Sequence, residues 1–287
     1  MIRTLKEFGV DMDEAVVGGQ TPVNILASCE KDRSREGEDF YGEAVAFFSR
    51  ESMEQTNKRG EAAIHLAAKN GHTGMLKAMM EKGANINLTE DSPAEAGITP
   101  LHLACRYGHA DAVRLLVAAG ADDSAKNAKG ETAAHLALMN PGYGKKTEPK
   151  QRAEILRELK NLDVERDDGR TPLMLLQYET RELLRLFLDR GADVNHRDNN
   201  GMTALMLYSD KEMIKELLLA GADLTLADRE GNTALHHALK GYNTGTARYL
   251  IRKGADYNRP NNCGETPAQI AVEKGEEDVL ELMTDIH

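Results

Sequence analysis

Along most of the chain, apolar residues recur in two short series separated by polar stretches. Between Gly201 and Asp223 the first series is Leu205, Met206 and Leu207, and the second is Met213, Ile214, Leu217 and Leu218, which has the spacing of one apolar helical face. Thr203 stands where an N-cap is needed, and Gly221 where a closing left-handed residue is needed. Asp228-Arg229-Glu230-Gly231 then turns the chain into the next unit. The pattern predicts two short helices per unit, joined by polar turns. Pro at 22, 100, 172 and 267 suits the first helical turn, where a missing N–H costs nothing; Ala204 and Ala234 take that place in other copies.

The unit repeats. Gly19, Gly60, Gly97, Gly130, Gly169, Gly201, Gly231 and Gly264 each open a related phrase, with gaps of 41, 37, 33, 39, 32, 30 and 33 residues. The fullest copy is Gly97-Ile98-Thr99-Pro100-Leu101-His102-Leu103-Ala104, followed by Gly120-Ala121-Asp122. A period near 33 with a Thr-Pro-Leu-His-x-Ala core resembles the ankyrin repeat family over nearly the full chain, whereas a tetratricopeptide array would carry a Trp, which this chain lacks. The resemblance implies an all-α solenoid of stacked helix-turn-helix units, joined by extended turns or short β-hairpins. Helices this short are not stable alone, and stacking on neighbours buries their apolar faces. One repeat domain over 1–287 is expected, with about eight repeats opening near the glycines above. Residues 1–18 read as a partial repeat, either an N-terminal cap or the cut edge of a longer array. At the other end, Glu276, Glu277, Asp278, Glu281 and Asp285 intersperse the last apolar series, the polar outer face expected of a terminal cap.

Three insertions stretch the period. Ser28 to Gly42 is rich in both charges and reads as a solvated loop. Leu88 to Ala96 lengthens one turn, at a place where arrays of this kind project fingers toward ligands. Asn140 to Lys150 is basic and Gly/Pro-rich, reading as a flexible loop that could touch an acidic partner through Lys145, Lys146 and Lys150.

Charge narrows the partner. With 36 basic against 47 acidic side chains the net charge is −11, which disfavours nucleic acid. Cys29, Cys105 and Cys263 lie in three different repeats, offering neither a disulfide framework nor paired metal ligands, and fit a reducing, cytoplasmic compartment. No apolar run approaches the ~20 residues of a membrane span, so no membrane partner is expected, and a monomer is.

Candidate chemistry is sparse. Gly144-Lys145 fails as a phosphate-binding loop because Met139 and Lys146 occupy the positions of the first Gly and the Ser/Thr. His65, His102, His135 and His236 share one position of the phrase, roughly one repeat or ~10 Å apart, too far for two to share a metal. The resemblance gives them a structural role, bonding the backbone of the neighbouring turn. Asn24, Met174, Met206 and Gln269 replace that His elsewhere. No catalytic motif appears, and neither an enzyme nor a cofactor or metal is expected.

Stacked units create a concave surface suited to recognition, so the expected function is binding of another protein. In resembling arrays the contacts come from turns and first helices. The corresponding positions are Lys58, Arg59, Glu61, Glu95, Ile98, Lys129, Glu131, Asp168, Arg170, Asn199, Asn200, Met202, Arg229, Glu230, Asn232, Asn262 and Glu265. Ile98 and Met202 are the apolar anchors if exposed. Two alternatives stand beside this reading: a recognition fragment of a larger protein or enzyme, and a hydroxylation substrate at Asn87, Asn195 or Asn258, which match the family's Gly-Ala-x-x-Asn position.

Overall fold

A computed structural model describes residues 13, 20–29, 35–92, 95–139, 147–241 and 243–285. Gly19, Lys145, Lys146 and the partial repeat expected before residue 19, Asp13 excepted, lie outside them. The chain divides into two compact units, 1–161 and 162–287.

In the first unit the α-helices are α1 (Pro22–Ser28), α2 (Arg35–Val45), α3 (Arg50–Glu54), α4 (Ala63–Asn70), α5 (Thr73–Glu81), α6 (Pro100–Arg106), α7 (Ala110–Ala118), α8 (Ala133–Leu138) and α9 (Pro149–Glu158). Helices α1, α4, α6 and α8 pack in succession as one layer, and α2, α5, α7 and α9 as a second. The core between them is small and apolar, with Ala63, Ala67, Leu76, Ala104, Val113, Leu116, Ala137 and Leu156 all buried. Ala, one turn apart on facing helices, lets the layers approach closely.

The second unit repeats the plan. It has a 3-10 helix (Pro172–Tyr178) and then α10 (Arg181–Asp189), α11 (Ala204–Leu207), α12 (Lys211–Leu219), α13 (Ala234–Lys240), α14 (Thr244–Arg252), α15 (Pro267–Lys274) and α16 (Glu277–Asp285). The 3-10 helix, α11, α13 and α15 pack in sequence, as do α10, α12, α14 and α16. Among the described residues the sole β feature is an isolated bridge between Ala227 and Thr233.

Local sequence accounts for the ends. Pro22, Pro100, Pro172 and Pro267 each occupy the first helical turn, with a Thr at the N-cap before each; the Thr21, Thr99 and Thr266 side chains make the capping bond and Thr171 does not. The predicted second helix of the Gly201 copy runs from Lys211 to Leu219 with Met213, Ile214 and Leu217 buried, and Gly221 closes it at φ +91°. Opening glycines such as Gly231 are required for two reasons at once. Gly231 has φ +81°, and a Cβ there would sit 2.8 Å from the backbone N of Asn262 in the next turn.

Two expectations need correction. The Ser28–Gly42 insertion is not simply a solvated loop, because Arg35–Val45 is an α-helix that packs on α5 and buries Ala44 and Val45. Charged residues concealed the amphipathic period there. Likewise Pro149 and Lys150 belong to no loop: they open α9, with Pro in the first turn.

Candidate partner-binding surface

Five of the turns that carry candidate residues, those before Gly60, Gly130, Gly201, Gly231 and Gly264, are each built around one Asn or Asp. Asn57 Oδ1 accepts from the backbone N–H of Arg59 and Glu61 at 2.8 and 3.1 Å. Asn127 does so from Lys129 and Glu131, Asp198 from Asn200 and Met202, Asp228 from Glu230 and Asn232, and Asn261 from Cys263 and Glu265. One side-chain oxygen thus closes a five-residue turn that no helix or sheet supports. Successive turns are then fastened to each other: Ala128 N–H donates to Ala96 C=O, Arg229 N–H to Asn200 C=O and Asn262 N–H to Glu230 C=O, at 2.8 to 2.9 Å.

This construction sorts the candidates. Glu61, Glu131 and Asn232 are buried, with 8, 6 and 2 % exposure, and Ile98 is wholly buried, so the exposure required of it as an anchor is not met. Glu61 and Glu131 are held by the amides of Asn57 and Asn127 at 3.1 and 2.8 Å. Asn232 Oδ1 accepts from Asn261 Nδ2 and Lys240 Nζ. Asn199 and Asn262 are exposed, but their amides donate to Asp167 and Arg229 carbonyls of the preceding turn at 2.8 and 2.9 Å. Arg170 bridges to Asp198, Glu95 to Arg106 and Glu265 to Lys240. Asp168 is exposed and paired with Arg166. Lys58, Arg59 and Lys129 are exposed in the first unit, and Asn200, Arg229 and Glu230 in the second, with Met202 half-buried beside them. Gln20, Asn57, Lys58, Arg59 and Glu61 line a shallow recess of about 220 Å³.

The lengthened turn at Leu88–Ala96 gathers charge. Two ion pairs, Lys69–Glu61 and Arg106–Glu95, each 2.8 Å, flank Glu90, which is 4 % exposed and whose Oε1 has no hydrogen-bond partner among the described residues. Burial, then repulsion from Glu61 and Glu95, raises the Glu90 carboxyl to about 7 against the pull of Lys69 and Arg106. For Glu61 burial also pushes upward, but the Lys69 ammonium and the Asn57 amide outweigh it and hold the carboxyl low.

The histidines are structural. Nδ1 of His65, His102, His135 and His236 accepts from the backbone N–H of Ala62, Thr99, Thr132 and Thr233 at 3.1 to 3.2 Å. Nε2 of His65, His102 and His236 donates to the carbonyl of Leu88, Glu131 and Glu265 in the next turn. Both ring nitrogens are therefore used by the neutral tautomer. Burial lowers His65 and His102 to about 4, and lowers His236 as well. In the first helix of three repeats the Thr hydroxyl also meets His Nδ1 at 2.9 Å.

Among the described residues no group of three His, Cys, Asp or Glu is placed to hold a metal, and no helix is long and apolar enough to cross a membrane. Cys29, Cys105 and Cys263 are free thiols; Cys105 is buried, which pushes its thiol up.

This array of Thr-His boxes, Asx-closed turns and paired helical layers is matched by the family model for ankyrin repeats over residues 34–127, 65–148 and 207–287, and by the single-repeat model over 168–199. The chain belongs to the ankyrin repeat family. Ankyrin repeats generally mediate protein–protein interaction, and proteins of this kind are typically non-catalytic. No curated protein matches the chain. Among solved structures it is similar to the ankyrin repeat domain of Bcl-3, a unique member of the IkappaB protein family, at 27% identity and a TM-score of 0.66, covering 79% of this chain and 100% of that one.

Proposed function

We propose that the protein is a non-catalytic scaffold that binds another protein through its exposed turn residues, in a reducing, cytoplasmic compartment. The observation that carries this reading is the division among the turn residues themselves. Most are consumed in holding turns together, and those left over, Lys58, Arg59 and Lys129 in one unit and Asn200, Met202 and Arg229 in the other, recur at the tips, with Glu230 beside them accepting from Asn232 Nδ2 at 3.2 Å. Tips fixed by side-chain and backbone bonds on both sides present these groups with little ordering cost on binding. The three cations of the first unit suit a partner bearing carboxylates, whereas the second unit offers a mixed polar set around one partly apolar side chain. The three free thiols support the reducing compartment.

The test is affinity capture from native lysate with two variants, K58E/R59E/K129E and N200A/M202A/R229E. At least one variant should lose the captured protein by tenfold or more, about 1.4 kcal/mol, while both melt within ~2 °C of the parent, as surface changes do. Retention of the same partner by both variants overturns the reading.

A further inference from the structure

The last helix pair carries a second surface that the turn residues do not explain. Between α15 and α16 lies a cleft of about 520 Å³, lined by Tyr257, Ala268, Val272, Leu280 and Met283 with Gln269, Glu273 and Thr284 at its edges. Tyr257 Oη donates to the Met283 carbonyl at 3.3 Å and closes one side. Val272 is 64 % exposed, although it occupies the same place in its phrase as Leu239 does in the preceding one, and Leu239 is fully buried. The difference is what lies on top: α15 packs over α13, and no described element packs over α15 in the same way. Gln269 likewise is exposed where His236 is buried. In the internal repeats of this unit, then, the face of a helix pair takes another helix.

Charge specifies what this face accepts. Residues 267–285 contain six carboxylates, Glu273, Glu276, Glu277, Asp278, Glu281 and Asp285, against one ammonium, Lys274. Glu276 and Asp278 are spent on Thr244 and Arg248. Glu273, Glu277 and Glu281 are exposed and have no ion-pair partner among the described residues. Glu273 borders the cleft, while Glu277 and Glu281 stand one helical turn before Leu280 and Thr284, on the same side of α16. An apolar trough between two helices with an unpaired acidic rim complements a ridge of apolar side chains flanked by cations.

We propose that the α15/α16 cleft docks an amphipathic helix of a partner protein, its apolar side on Val272 and Leu280 and its flanking Lys or Arg side chains on Glu273, Glu277 and Glu281. A second copy of this chain is a poorer occupant, because two molecules of net charge −11 repel. The site is separate from the turn tips, so loss of one leaves the other intact. Apolar burial supplies most of the affinity and the acidic rim supplies orientation and association rate.

The probe is a fluorescent 18-residue peptide of Leu and Lys arranged as an amphipathic helix. Its control is an isomer of equal composition with the apolar face scrambled. Binding to the full chain is read by anisotropy, with sedimentation of the protein alone in parallel. V272K introduces a cation into the cleft at an exposed position, so the fold is retained, and L219K makes the same change at another exposed site of the same unit, where Leu219 is 75 % exposed. The amphipathic peptide should bind at least tenfold more tightly than its isomer, V272K should abolish that preference, and L219K should leave it within twofold. Equal binding of both peptides, or equal loss in V272K and L219K, reduces the attraction to unspecific charge and overturns the proposal. A parent that self-associates while V272K does not assigns the cleft to a second copy, and overturns it too.

Discussion

At the scale of single residues, the protein sets two kinds of buried ionisable group against each other. His65 and His102 spend both ring nitrogens as neutral rings, so protonation must break the bond from Ala62 or Thr99 N–H to Nδ1. With values lowered from 6.5 to about 4, the unfolded chain binds more protons than the folded one between those limits. Their contribution is complete above pH 6.5 and disappears as the pH falls toward 4. The urea midpoint should therefore drop across that window, and H65Q/H102Q should start lower at pH 7 and drop less. Glu90 works in the opposite sense. Its carboxyl is raised from 4.5 to about 7, so the folded state holds the extra proton, and stability declines as pH rises through that interval. E90Q should raise the melting temperature at pH 8 by several degrees, on the order of 1–2 kcal/mol, and by little at pH 4.5. Equal effects at both pH values would refute this. The structural role that the family resemblance implied for the four histidines agrees with their bonds to backbone N–H. The sequence could not mark Glu90, which is buried and lies within the electrostatic reach of Glu61 and Lys69 from one repeat and Arg106 from another.

At the scale of an element, a Thr-His box opens the first helix in three repeats, at Thr99-His102, Thr132-His135 and Thr233-His236, and two of the copies that lack it are the instructive ones. Where Met174 and Met206 replace the His, the Thr171 and Thr203 hydroxyls are buried without a hydrogen-bond partner among the described residues. Those two first helices are also the irregular ones, a 3-10 helix and a four-residue α-helix. Thr203 is thus at the N-cap position read from the sequence, yet makes no side-chain capping bond. Thr99→Val should cost about 1–2 kcal/mol, as loss of a capping hydroxyl does, whereas Thr203→Val removes only an unsatisfied group and should be neutral or stabilising. Denaturation of the two variants in parallel decides it, since equal losses would mean that the Thr203 hydroxyl has a partner. The helical layers were legible because each apolar face repeats near every 33 residues. The turns were less so: the candidate list took positions at fixed offsets from each Gly, and that rule selected Glu61, Glu131 and Asn232, whose backbone the Asx oxygens hold, and Ile98, all of them buried. For Glu61, Glu131 and Asn232 the separating signal is the Asn or Asp three residues before the Gly; the Gly97 turn has Ala94 there, and no such signal marks Ile98.

At the scale of the whole molecule, stability in a repeat protein is distributed, and its weakest copies are identifiable. Contacts run between neighbours, so each repeat opens according to its own terms and those of its interfaces. Amides of 172–178 and 204–207 should exchange with solvent faster than those of 100–106 and 234–240, measured by hydrogen exchange and mass spectrometry; uniform protection would contradict this. The Asx turns also give the molecule a chemical clock. Asn57, Asn127 and Asn261 each face a Glu four residues on, with amide-to-carboxylate distances of 3.1, 2.8 and 3.2 Å, whereas Asp198 and Asp228 face Met202 and Asn232. Hydrolysis of any of the three amides to a carboxylate keeps the oxygen that closes the turn but sets it against Glu61, Glu131 or Glu265. Ageing by deamidation would then convert an attraction into a repulsion at as many as three turns without breaking the chain, and the aged protein should loosen first at those turns.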